Sequence, residues 1–333
     1  MKKPSEVKLD LKDKRILYEL DINSRQPYSE IAKKVKLSKH AVKYRIDTMV
    51  RGGVIRGFKI LVNMSKLGYS YYRLHLQMQN VNKRKEAEII HYLCKNTHIA
   101  WVVTCDGKYD VLVGIIASGP IELDEMLSDI INRYGKHILN YDIVTMTRLV
   151  LFNRGYWFKE TAAKPYKAYM FGSESRGIET VKTDELDRKI MLTLSNNARL
   201  PSSQIAQKLG VSSDTISNRI KRLVNRGVIV KFFVQLDYKL IKAQLYKTLL
   251  HLQRISRKRE EDLERFAELD PHILDYVKCI GPWQMELDLE ALNNEHYHEI
   301  MMEFRNNFSD IIRDYETLYV VKEHKFNYFP LID

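Results

Sequence analysis

Apolar residues recur along this chain in two alternating rhythms. From residue 10 to 53 they fall three and four apart, the spacing that gathers one side of a helix. Asp10 can cap a first short helix carrying Ile16, Leu17 and Leu20, Pro27 interrupts it, and residues 29–35 make a second. Lys36-Leu37 is a turn, Ser38 caps a third helix, and Gly52-Gly53 ends it. Residues 54–62 then read as a small β-wing. From there the rhythm changes to two: Leu74, Leu76 and Met78 alternate with polar neighbours over 71–81, which marks a strand with one buried face. A helix over 83–95 follows, then strands over 99–105 and 109–117 joined at Asp106-Gly107. A helix over 121–134 and a long strand over 138–152 complete the unit. The order β-α-β-β-α-β is the ferredoxin-like plan.

The whole pattern then repeats. Asp13-Lys14-Arg15-Ile16 returns as Asp187-Arg188-Lys189-Ile190, an offset of 174 residues. The same offset carries Ile31-Ala32 onto Ile205-Ala206, Arg45-Ile46 onto Arg219-Ile220, Cys105 onto Cys279 and Tyr141 onto Tyr315. Short solenoid repeats have periods of about 20–50 residues, so this is duplication of a domain-sized unit. In the second copy Thr183 or Asp184 opens the first helix, 203–209 form the next, Ser212 caps the third, and 228–236 are the wing. Strands are expected at 245–254, 273–279, 283–291 and 311–326, with helices at 258–269 and 295–307. The fold class is α+β: two winged helix-turn-helix domains (1–62 and 182–238) alternating with two ferredoxin-like domains (63–155 and 239–333). Residues 156–181, with Pro165 and the stretch 172–177, read as a linker that the aromatics Tyr156, Trp157, Phe158 and Tyr166 can anchor.

Charge sharpens this picture once it is located. The formal net charge is +12 over 333 residues. Residues 1–62 hold 16 Lys and Arg against 7 Asp and Glu, residues 180–240 hold 11 against 5, and the remainder of the chain is net acidic. Basic heads on near-neutral bodies are the electrostatic footprint of nucleic-acid binding, and three short helices with a tight turn before the last can place a recognition helix in the major groove of double-stranded DNA. Val42, Ile46 and Met49 share one side of the third helix, as do Ile216, Ile220 and Leu223 in the second copy. Lys39, His40, Lys43, Tyr44 and Asp47 point away in the first, and Ser213, Asp214, Ser217, Asn218 and Lys221 in the second, with Arg222 counted on the same surface. Arg45 and Arg219 lie at the edge, where each can clamp a phosphate or pair with an acid of the first helix.

These residues carry a family resemblance. Leu9-Asp10 with Asp13, Ile31-Ala32, Arg45-Ile46 and Gly53-Val54-Ile55, followed by βαββαβ with the turn Gly107-Lys108-Tyr109-Asp110, resemble the Lrp/AsnC transcription regulators. The resemblance covers nearly the whole chain, twice. It implies DNA-binding heads and βαββαβ domains that associate by sheet pairing, within one chain or between chains. In many members those domains bind an amino acid or a related small molecule. The effector turn of the family maps onto Asp106, Gly107, Tyr109 and Asp110, and in the second copy onto Gly281 and Trp283. A glycine permits the tight turn and an acid can accept from an ammonium group. The alternative reading is an ordinary hairpin turn with an aromatic packed at the dimer interface. Because Asp110 faces Gln284 at the matching position, an effector is expected in the first copy.

Other classes find less support in the residues. Cys94, Cys105 and Cys279 are too few and scattered for a disulfide framework or zinc site and read as reduced thiols of a cytoplasmic protein. No metal or cofactor is expected. No apolar run of about 20 residues suggests a membrane span, and the charged start lacks the apolar stretch of a signal peptide. The enzymatic alternative comes from the same architecture: sirohaem decarboxylases resemble this family and carry histidine and arginine near the equivalent turn. Here the stretches 104–109 and 278–283 contain neither. The residues therefore point to a binding protein without chemistry, with an architectural DNA-coating protein as a further alternative.

Overall fold

The computed structural model describes residues 8–157, 166–172 and 179–329; Phe158, Pro165 and the stretch 173–177 of the expected linker lie outside them. The first head comprises α1 (Leu11–Ile22), α2 (Tyr28–Val35) and α3 (Lys39–Arg51), followed by β1 (Ile55–Val62). A capping box closes the start of α1: Asp10 accepts from the Asp13 amide, and the Asp13 side chain accepts from that of Asp10. The first ferredoxin-like unit is β2 (Ser70–Met78), α4 (Lys83–Lys95), β3 (Ile99–Asp106), β4 (Val111–Ala117), α5 (Pro120–Tyr134) and β5 (Ile138–Phe152), and β6 (Lys167–Phe171) follows. The second head has α6 (Glu185–Asn196), α7 (Ser202–Leu209), α8 (Ser213–Asn225) and β7 (Ile229–Leu236). Its unit continues as β8 (Gln244–Leu252), α9 (Arg257–Leu269), β9 (Ile273–Ile280), β10 (Met285–Ala291), α10 (Asn294–Phe308) and β11 (Ile312–Phe326). Asp184 rebuilds the capping box on α6, and Ser38 and Ser212 cap α3 and α8.

Each wing is a single strand that the other copy completes. β1 and β7 pair antiparallel. Each begins in the core of its own head and ends in the core of the other: Val54 and Ile55 pack with the first head, while Ile60, Leu61 and Val62 join the second. Reciprocal bonds lock the pair, from the Ser24 amide to Phe232 O at 2.8 Å and from the Ala198 amide to Phe58 O at 2.9 Å. Arg25 Nη1 reaches across to Ala198 O (2.6 Å) and Leu200 O (2.8 Å). Its counterpart Arg199 reaches back to Ser24 O and Gln26 O. An isologous contact of this kind is what two-fold symmetry generates between subunits; here one chain makes both sides.

The ferredoxin-like units also close on each other. The strand order is β2-β4-β3-β11-β8-β10-β9-β5, and β5 pairs again with β2, so eight antiparallel strands form a ring. The junctions between halves are β3 with β11 and β5 with β9. Residues 167–171 of the expected linker add a strand outside the ring on β5, and Trp157 is buried in the first head's core. Alternation decides which side chains enter the ring. Met285, Leu287 and Leu289 of β10 face outward onto α9 and α10, which turns Glu286, Asp288 and Glu290 to the other face. An eight-stranded barrel is just wide enough for side chains to fill it.

Candidate functional site

On the heads, α3 and α8 turn the expected faces to solvent. Val42, Ile46 and Met49 are buried, as are Ile216, Ile220 and Leu223. Lys39, His40, Lys43 and Tyr44 are exposed, and so are Ser213, Asp214, Ser217, Asn218, Lys221 and Arg222. Lys43 is partly engaged, with Asp47 one turn away at 2.7 Å. The two edge arginines brace their helices. Arg45 donates to Asp10 and Asp13, each at 2.8 Å, and Arg219 pairs with Asp184 and Asp187. Arg222 also reaches Asp187. The charge-assisted bonds tie the third helix of each head to its first.

The expected effector residues divide between two places. Asp106 and Asp110 line a groove of about 330 Å³ together with Glu86, Gln79 and Thr104. Asp110 Oδ2 accepts from the Met78 amide at 2.6 Å, and Gln284 Oε1 accepts from the Leu252 amide at 2.9 Å. The acid and the amide thus do the same work at matching positions, capping the end of β2 and of β8, and this removes the charge contrast as a reason to separate the copies. Gly107 and Gly281 are held by packing across the halves. A Cβ on Gly107 (φ +139°) would stand 2.8 Å from Leu318 Cδ2 and 2.9 Å from Thr317 O, and one on Gly281 would stand 2.7 Å from Val144 Cγ1. Tyr109 and Trp283 are fully buried inside the barrel, where their ring centroids lie 5.9 Å apart.

The barrel holds a buried cluster that the linear motifs did not reveal. Glu286 is its hub: it accepts from Arg73 of the other half, from Trp283 Nε1 at 3.0 Å and from Lys247 Nζ at 3.3 Å, and Lys247 also pairs with Asp288. Burial alone would raise the Glu286 carboxyl, but the charges of Arg73 and Lys247 overrule it and hold it well below the usual range. His75 lies between Tyr109 and Trp283, at centroid distances of 5.2 and 4.6 Å, with Nε2 3.5 Å from Glu286. Burial pushes its imidazole down to about 3, so the ring is neutral. At the junction of barrel and heads is a cavity of about 80 Å³ bordered by Asp21, Lys231, Gln235, Asp275 and Glu323. There Arg154 joins Asp21 of α1 to Glu290 of β10.

A signal for this cluster existed in the sequence. At the offset of 174, Glu286, Asp288 and Glu290 stand where the first copy has Leu112, Gly114 and Ile116. Acids on alternate positions of a strand read as its solvent side, so the pattern by itself passes as ordinary.

Comparison with known proteins bears on both places. Residues 9–50 match the AsnC-type helix-turn-helix domain, and residues 183–230 match a winged helix-turn-helix DNA-binding domain. An uncharacterized HTH-type transcriptional regulator of Pyrococcus furiosus is 34% identical over 124 residues, which cover 37% of this chain and 80% of that protein. The HTH-type transcriptional regulator LrpA of Pyrococcus horikoshii is 33% identical over 119 residues, covering 33% and 84%. Over the whole length, the chain is similar to the siroheme decarboxylase NirDL, with a TM-score of 0.61 and 14% identity over 97% of this chain and 94% of that one. The same enzyme with an iron-uroporphyrin III analogue gives 0.60.

That likeness corrects the expectation of a protein without chemistry, since an enzyme shares this architecture nearly end to end. The expectation rested on histidine and arginine being absent from the turns along the chain. In space, β2 brings His75 against Tyr109 of one turn and Trp283 of the other, with Arg73 alongside on Glu286. Among the described residues no helix is long and apolar enough to cross a membrane. With relatives above 30% identity spanning four-fifths of their own length, and with the same unit present twice in one polypeptide, the chain belongs to the Lrp/AsnC family as a tandem duplication of its helix-turn-helix and βαββαβ unit.

Proposed function

We propose that this protein binds double-stranded DNA through both heads at once, as a transcription regulator of Lrp/AsnC type. The observation that carries this reading is the pair of exposed faces on α3 and α8, set on heads that β1, β7 and the arginine clasps hold together. Lys39, His40, Lys43 and Tyr44 supply one reading surface, and Ser213, Asp214, Ser217, Asn218 and Lys221 the other. Arg45, Arg219 and Arg222 hold those helices in place. The acidic groove at Asp106 and Asp110 is the place we assign to an effector bearing an ammonium group.

A second reading rests on the whole-chain likeness to the siroheme decarboxylase, and it takes a tetrapyrrole as substrate. The whole-chain architecture weighs toward this reading and the exposed helices toward the first. The 80 Å³ cavity is too small for a macrocycle, because sites for ligands of that class occupy about 300–1,000 Å³. The groove between β5, β6 and α9 has about 490 Å³, but Glu261, Glu264 and Glu268 line it beside Arg148, Lys167 and Arg265, and Glu264 and Glu268 pair with Arg148 and Lys167, so its size suits such a ligand better than its charge does.

One preparation tests both. Fluorescence anisotropy with a random-sequence duplex is expected to show binding that weakens by about 10³–10⁵ between roughly 50 and 200 mM salt if about 6–10 phosphates are contacted. Lys39→Ala with Lys43→Ala is expected to weaken it while the circular dichroism spectrum stays unchanged. Binding that is absent or indifferent to salt overturns the regulator. An absorbance shift on adding iron-uroporphyrin, with release of carbon dioxide when sirohaem is supplied, would establish the second reading instead.

A further inference from the structure

The ion pairs between the two halves all point one way. Among pairs of described residues, each one that crosses from residues 8–172 to residues 179–329 has its cation in the first half and its acid in the second. Arg56 meets Asp237, Arg73 meets Glu286, and Lys108 meets Glu316. Arg148 meets Glu264, Arg154 meets Glu290, and Lys167 meets Glu268. Two of these are sealed from solvent: the side chains of Arg73 and Glu286 are 5% and 0% exposed, and those of Arg154 and Glu290 are 10% and 0%. A seam inherited from a symmetric dimer would carry each pair twice, once in each direction. Among pairs of described residues no ion pair runs the other way; reverse contacts that remain are looser, such as that of Lys231 with the charge of Asp21 across the junction cavity.

The offset of 174 shows what stands where the reverse pairs would be. Glu286 corresponds to Leu112, Glu290 to Ile116 and Glu264 to Ile90. On the cationic side Arg154 corresponds to Tyr328, Lys108 to Pro282 and Arg56 to Val230. If two first halves closed a barrel, each Arg73 would be buried against Leu112 and each Arg154 against Ile116. If two second halves did so, both sets of Glu286, Asp288 and Glu290 would enter one interior, with the two Lys247 as the cations beside them. A buried charge without its partner is strongly unfavourable, far more than an intact pair is favourable. Like-with-like closure is therefore penalised in both combinations, and the mixed one is not. The shape of the seam permits all three, since the glycine turns and strand junctions recur on both sides.

We propose that the seam is a one-way charge code: the first half closes a barrel only with a second half, from its own chain or from another copy, and never with its own kind. This fixes the partner of each barrel face and with it the composition of any particle. One α3-type and one α8-type head are always present together, whatever the heads or the barrel do.

The test starts from the full chain. A protease recognition sequence inserted between Glu174 and Ser175 allows cleavage after purification, so that both halves begin folded together. The cleaved protein is unfolded in urea, refolded by dilution and weighed by native mass spectrometry, which separates the three pairings by mass. The expected result is the mixed pair alone. Either homodimer at its statistical share overturns the proposal. The intact chain provides an independent measurement through Arg73→Met, Glu286→Leu and the double variant, followed by thermal unfolding. Each single change is expected to lower Tm by more than the double does, because the double removes both buried charges together. Losses that simply add, or a double variant that folds no better than either single one, would show that charge pairing does not decide the seam.

Discussion

At the scale of single residues, burial converts ordinary side chains into opposed pH-sensitive groups. Asp275 borders the junction cavity; burial and then the charge of Asp288 push its carboxyl up to about 7. Its ordinary value is 3.8, so between 3.8 and 7 the native state keeps a proton that the unfolded chain has released. Its contribution to stability is therefore full below 3.8 and is lost as pH rises to about 7. His75 acts in the other direction. With its imidazole pushed down to about 3 from 6.5, unfolding takes up a proton over that window, and stability falls as pH drops from 6.5 toward 3. The two slopes oppose each other between about 4 and 6.5. Asp275→Asn removes only the first. The variant is expected to melt above the parent at pH 8, by ~1 kcal/mol or about 2–4 °C, and the gap is expected to close toward pH 4. Equal stabilisation at both pH values would assign the effect to packing instead of titration. None of this was legible in the sequence, because an Asp opposite Trp101 at the repeat offset says nothing about what lies above it.

At the scale of elements, local signals placed the helices well. The capping residues Asp10, Ser38, Asp184 and Ser212 start α1, α3, α6 and α8, because a side-chain oxygen facing a free amide is a property of a few adjacent residues. Strand partners were not legible in this way. The wing segments do become strands, yet each finds its partner 174 residues away, and the expected linker supplies β6. The arginine clasps on this seam carry a prediction. Arg25→Ala with Arg199→Ala removes four bonds to backbone carbonyls, and hydrogen bonds to charged groups are worth about 1.5–3 kcal/mol each. The double variant is expected to lower Tm by several degrees. It is also expected to reduce affinity for a duplex that engages both heads more than for one that engages a single head. Differential scanning calorimetry and competition binding check the two parts; unchanged discrimination between the duplexes would show that the clasps do not set head geometry.

At the scale of the whole molecule, the third helices of the two heads have diverged where they face outward and been kept where they pack. Val42, Ile46 and Met49 are matched by Ile216, Ile220 and Leu223, all buried. The outward positions differ throughout: Lys39 against Ser213, His40 against Asp214, Lys43 against Ser217, Tyr44 against Asn218, Asp47 against Lys221. Base edges are read by matched donors and acceptors, and an asparagine suits adenine where a lysine favours guanine. Two different surfaces on one rigid pair are expected to recognise a directional site, whereas a homodimer with two identical helices favours a near-palindrome. Selection from a random duplex library, followed by footprinting, is expected to return an asymmetric consensus. A palindrome with equal protection of both halves would refute it.

The sequence alone determined the duplication, the order of elements, the fold class and the outward faces of α3 and α8. Those follow from periodicity and capping, which are written in neighbouring residues, and from the constant offset, which makes one copy a ruler for the other. The tertiary structure decided how the copies meet. Alternation along β10 says that Glu286, Asp288 and Glu290 share a face, but water and a barrel interior are equally consistent with that pattern until β11 and β9 close against β3 and β5. Only closure brings Arg73 and His75 to Glu286 and turns three surface-like acids into the charged centre of the molecule. Charge in water is cheap and charge in a sealed barrel is not, so the same residues acquire a different meaning once the ring is complete.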